Sequence, residues 1–153
     1  MRVRVSTSLR AMTLAVLQET GRTRVECVVL WLGRRAGDAI EITECYRPEQ
    51  EARADFFRIP PASMLELKAH LRRERLMVAA QVHTHPRDAF HSVADDAWAI
   101  IRHEGALSLV LPQFALNTED RTFADDMKLF RLNAHNVWCA VPAQEVDTCL
   151  DLS

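Results

Sequence analysis

The apolar run Leu76-Met-Val-Ala-Ala-Gln-Val ends in His83-Thr84-His85-Pro86, two histidines separated by one residue. The run has the length and composition of a strand. Side chains two apart on a strand point to the same side, so His83 and His85 present both imidazoles in one direction at the strand's end. Downstream, Ser92 is followed three residues later by Asp95, with Asp96 next to it. Two imidazoles so placed can share one metal ion. A catalytic zinc ordinarily takes three protein ligands and leaves its fourth position to water, so a third ligand is required nearby. Asp95, in the first turn of a following helix, can fold back to supply it.

Each piece also has a plainer account. A His-x-His pair arises often by chance and is then structural or solvated. Ser92-x-x-Asp95 is a good helix N-terminus, with Ser92 as the cap and Asp95 favoured by the helix dipole. That reading is compatible with a metal, because a capping geometry also aims the carboxylate. Glu26 tips the balance. It stands in the otherwise apolar stretch Val25-Glu-Cys-Val-Val-Leu-Trp-Leu32, and an ionised carboxylate is seldom placed there unless it is paired, metal-adjacent or turned to water.

The remaining pattern predicts an α/β fold. Val3 and Val5 alternate with arginines as in a short strand, and Leu9, Met12, Val16 and Leu17 recur at helical spacing, predicting a helix over Thr7 to Thr20. Val25–Leu32 and Ala39–Tyr46 read as strands paired across a turn at Gly33–Asp38, and Phe57 to Ile59 as a short strand ended by prolines. Ser63-x-x-Glu66 is a capping-box pattern that opens a helix running to about Arg75. A strand over Leu76–His83, a helix over Val93–His103, and strands over Ala106–Leu111, Met127–Leu132 and Val137–Val141 complete the chain. The expected architecture is one domain with a mixed sheet flanked by helices.

The 153 residues carry 19 basic and 21 acidic side chains, a net charge of −2. No general attraction for nucleic acid or an anionic membrane is built in. The four cysteines, Cys27, Cys45, Cys139 and Cys149, form no Cys-x-x-Cys pair and read as reduced thiols. No apolar run approaches a membrane span, and a cytoplasmic location is expected. Trp31, Trp98 and Trp138 are expected in the core. His70, His103 and His135 lack ligand-like spacing, His91 reads as a solvated turn residue, and Asn117–Asp126 reads as a surface loop.

The set Glu26, His83-Thr84-His85-Pro86 and Ser92-x-x-Asp95 resembles the motif of the JAMM metallopeptidases, also called MPN or JAB. The resemblance is strongest over residues 76 to 111 and extends back to Glu26. It implies an MPN-like domain of the cytidine-deaminase-like type over residues 1–153, similar to the stand-alone bacterial members. It implies that His83, His85 and Asp95 bind one Zn2+, that Glu26 holds and deprotonates the attacking water, and that Ser92 stabilises the oxygen of the tetrahedral intermediate. Many members carry one more residue between the second histidine and the aspartate, and a proline where this chain has His91. The shorter loop brings Asp96 into contention as ligand, because it stands at the commoner distance from His85. Asp95 keeps the serine spacing and is preferred.

The resemblance further implies hydrolysis of amide or isopeptide bonds at the carboxyl terminus of a ubiquitin-like protein, in company with activating and conjugating enzymes. The same chemistry on a sulfur-carrier tail is the alternative within the class. A metal-free MPN scaffold is the alternative outside it, and such scaffolds characteristically lose ligands that this chain retains.

Overall fold

Both faces of the central strands are covered, which is why their sequences run apolar without alternation. The computed structural model describes residues 1–55, 57–90 and 100–153. Among these, eight strands form one mixed sheet in the order β10-β1-β3-β2-β6-β7-β8-β9. The strands are β1 (Arg2–Arg4), β2 (Val28–Ala36), β3 (Ala39–Tyr46), β6 (Met77–Thr84), β7 (Leu107–Leu111), β8 (Lys128–Leu132), β9 (Trp138–Ala140) and β10 (Leu150–Asp151). A separate two-stranded ribbon joins β4 (Glu51–Ala52) to β5 (Phe57–Arg58). β6 lies between β2, to which it is antiparallel, and β7, to which it is parallel.

Helix α1 (Thr7–Gly21) packs on one face, where Leu14 and Leu17 meet Val29, Trp31, Val82 and Leu109. Ser6 caps it by accepting from the Leu9 N–H at 3.2 Å. Trp31 is fully buried and donates from Nε1 to Thr13 Oγ1 at 2.8 Å, so the indole is packed and satisfied at once. Helix α2 (Pro61–Glu74) covers the other face, with Leu67 against Val28, Leu30, Leu32 and Phe57. No helix among the described residues is long and apolar enough to cross a membrane.

Several local expectations are corrected. β2 begins at Val28 and continues through Gly33 to Ala36, so the β2–β3 turn is the pair Gly37-Asp38. Gly33 belongs inside the strand because the Glu41 carbonyl oxygen lies 2.2 Å from where a Cβ would stand, at a register shift between Leu32 and Gly33. α2 starts at Pro61 with Pro60 as its cap, so the Ser63 and Glu66 pattern falls inside the helix and Ser63 is buried. Proline at the first helical position has its φ preset and no N–H to satisfy, which favours the earlier start. Of the helix expected over Val93–His103, residues 93–99 lie outside the described residues, and 100–103 are not helical. Trp31 fills the core as expected, Trp138 is only half-buried, and Trp98 lies outside the described residues. The Asn117–Asp126 segment is less of a surface loop than expected, since Thr118 and Phe123 are buried.

Candidate metal centre

His83 is the penultimate residue of β6, opposite Val28 on β2 and Val110 on β7. It is fully buried, and His85, just past the strand, is 3% exposed. Thr84 stitches this strand end to the residues before β2. Its N–H donates to the Cys27 carbonyl at 3.1 Å, and its Oγ1 accepts from the Cys27 N–H at 3.0 Å. The antiparallel register Val28 to His83, continued through Cys27 and Thr84, therefore sets Glu26 opposite His85. Residues directly opposite share a face of an antiparallel pair. Glu26, Val28, His83 and His85 thus lie on one face, the face under α2.

The two imidazole centroids are 5.4 Å apart. Two imidazoles on one tetrahedral ion, with Zn–N near 2.0–2.1 Å, place their ring centres about 5.2 Å apart. The donor set suits zinc, which takes imidazole nitrogen and carboxylate oxygen. Phe57 of β5 walls one side, its ring 5.6 Å from that of His83. Phe90 closes another, edge-on to His85 at 4.4 Å and itself 52% exposed.

Glu26 is 2% exposed, and its N–H donates to the Arg53 carbonyl at 2.7 Å, so the connection between β4 and β5 lies against it. The expectation that Glu26 sits in a strand is corrected by two residues, since β2 begins at Val28. Its burial agrees with a carboxylate turned away from bulk water. Among the described residues no group of three or more His, Cys, Asp or Glu side chains is placed to hold a metal ion, so Glu26 does not complete a set with the two imidazoles.

Ser92, Asp95 and Asp96, with His91, lie outside the described residues. The flanks of that stretch are placed. Phe90 stands against His85, and the Ile100 N–H donates to Gln81 Oε1 at 3.2 Å. Gln81 is fully buried two residues before His83, on the same face, and its Nε2 donates to Ser108 Oγ at 3.1 Å. Phe90 is thus anchored at His85, and Ile100 at Gln81. Sequence reading passed over Gln81, although a polar residue in phase with His83 on an apolar strand is the same signal that singled out Glu26.

A second feature escaped it altogether. Gln113, Phe114 and Ala115 have φ of 54°, 55° and 61°, three consecutive non-glycine residues in the left-handed region. Each costs about 1–2 kcal/mol, so such a turn persists only where its surroundings hold it. It meets the histidine segment through two backbone bonds, Phe114 N–H to the His85 carbonyl at 2.8 Å and Gln113 N–H to the Arg87 carbonyl at 3.0 Å. No composition or spacing rule marks it.

No protein-family model matches the chain. A protein of Sinorhizobium fredii named "Probable metalloprotease y4jG" is 33% identical over 133 residues, covering 84% of this chain and 80% of that one. The solution structure of protein DSY2949 from Desulfitobacterium hafniense superposes with a TM-score of 0.69, at 16% identity, over 99% of this chain and 92% of that one. At that identity the likeness concerns the fold.

Proposed function

The chain belongs to the metalloprotease family of its Sinorhizobium relative, and from that premise we propose that it is a zinc-dependent peptidase of the JAMM type. The observation that carries the reading is the pair of buried imidazoles 5.4 Å apart at the end of β6, with Glu26 opposite His85 by register. His83 and His85 would hold the ion with Asp95, whose stretch is bounded by Phe90 and Ile100 on the same face. Bound there, zinc supplies a Lewis acid for the scissile carbonyl and brings the acidity of a water near neutrality.

The residues of the chain do the rest. Glu26 takes the proton of the attacking water and delivers it to the leaving amine. Its burial keeps bulk solvent from competing for that proton. Ser92 donates a hydrogen bond to the substrate oxygen on which charge develops. His83 is held within a strand locked between two neighbours, and His85 by backbone bonds to Leu111 and Phe114, so little reorganisation is needed when substrate arrives.

The substrate we propose is the extended carboxyl-terminal tail of a ubiquitin-like protein, cut at an amide or isopeptide bond. Phe57 and Phe90 flank the imidazoles, and a tail with small side chains is the kind of backbone that would pass between two such rings to the ion. Among the described residues the β4–β5 ribbon has two strands, and an extended tail would pair along its edge.

The test combines zinc quantification on the purified protein with cleavage of a ubiquitin-like protein fused to a short carboxyl-terminal extension. One zinc per chain and release of the extension are expected. A zinc-loaded protein that leaves this fusion intact but trims a sulfur-carrier tail would move the substrate to that class. A protein that takes up no zinc and cuts nothing would be a scaffold.

A further inference from the structure

We propose that Gln18 of α1 is a positioning residue for His85, acting through the left-handed turn Gln113–Ala115; this rests on the reading of His83 and His85 as metal ligands. His85 lies just past the end of β6, outside the ladder that pairs His83 with both β2 and β7. Two backbone bonds hold it instead. Its N–H donates to the Leu111 carbonyl at 2.9 Å, and its carbonyl accepts from the Phe114 N–H at 2.8 Å. The Gln113 N–H then holds the Arg87 carbonyl at 3.0 Å, fixing the chain two residues further on. Two of these three bonds come from a turn in a conformation its residues do not favour.

The turn is held from α1. Gln18 Nε2 donates to the Ala115 carbonyl at 3.0 Å and to the Thr118 carbonyl at 2.8 Å, bracketing the turn's exit. One turn further along α1, Gly21 admits the Phe114 carbonyl oxygen to 2.3 Å from where a Cβ would stand, an approach only glycine allows. A continuous path of bonds thus runs from the Gln18 amide through Ala115 and Phe114 to the His85 backbone. α1 packs on the opposite face of the sheet from the imidazoles, so this path links the site to a helix that does not line it. Partners that orient a metal ligand typically change metal affinity by about 10–100-fold when removed.

Zinc titration of the purified protein is compared with Gln18→Met, which keeps the length and loses the donor, and Gln18→Lys, which restores one. Thr13→Val is the control, since it breaks the Trp31 bond on the same helix without touching the turn. Gln18→Met should bind zinc about tenfold or more weakly, Gln18→Lys should recover most of that loss, and Thr13→Val should bind as the wild type does. In the wild type, zinc should slow hydrogen exchange at the Phe114 and Gln113 amides, because coupling between metal and turn is reciprocal. That measurement decides the matter if Gln18→Met fails to fold. Equal zinc affinity in Gln18→Met and wild type, or zinc-independent exchange at both amides, overturns the proposal. Failure of the wild type to bind zinc at all would instead overturn the metal reading beneath it.

Discussion

Replacing Glu26 with Gln separates proton transfer from metal binding in a single substitution. The side chain is 2% exposed, and the amide has the shape of the carboxyl, so no cavity opens and the backbone bond from residue 26 to the Arg53 carbonyl is untouched. On the proposed role, what is lost is the proton acceptor. General base catalysis contributes about 10²–10⁴-fold, which corresponds to about 2.7–5.4 kcal/mol of barrier at 1.36 kcal/mol per tenfold. The loss should fall on kcat, with KM little changed, because the group acts on the water rather than on the tail. Zinc content should stay at the wild-type level, since Glu26 does not complete a ligand set with the two imidazoles. Single-turnover cleavage of the fusion and metal analysis on one preparation read both. A zinc-loaded Glu26→Gln protein that cleaves at near-normal rate would refute the assignment of the base.

Four further outcomes are expected. His85→Ala should lose both zinc and turnover, and chelation of the wild type by phenanthroline should inactivate it until zinc is returned, as metal analysis and the cleavage assay will read. Gly33→Ala must push β2 away from the Glu41 backbone, at about 1–3 kcal/mol, which a melt should report as a fall of several degrees at about 2–4 °C per kcal/mol for a chain of this size. Asp120 accepts from Arg10 at 2.8 and 3.0 Å, and that hydrogen bonding holds its carboxyl below the ordinary value of 3.8. The pair's contribution is therefore present above pH 3.8 and lost as pH falls through the lowered value, so denaturation curves of Asp120→Asn and wild type should converge in acid.

The elements that read clearly in the sequence are those whose signal is local. α1 follows from Leu9, Val16 and Leu17 at helical spacing, although Met12 of the same series is exposed, β3 from Ile40 and Ile42 at period two, and β6 from an apolar run ending in two histidines in phase. The misreadings arose where two local signals competed or where the deciding contact is distant. Pro61 outranked the Ser63 pattern for the start of α2. Gly33 looked like a turn residue because the close approach of Glu41 leaves no trace in neighbouring letters. Phe57 reads as a strand residue, yet nothing in its own segment says that its ring meets His83.

The residue types and spacing at 26, 83, 85, 92 and 95 suggest a metal-binding chemistry, because imidazoles two apart on a strand face one way whatever surrounds them. That Glu26, 57 residues before His83, comes opposite His85 is a matter of register between β2 and β6, which only the packed sheet decides. The same holds for the hold of Gln18 on the turn beneath His85. Periodicity is written into consecutive residues, whereas pairing across the sheet depends on the balance of burial and hydrogen bonding over the whole chain.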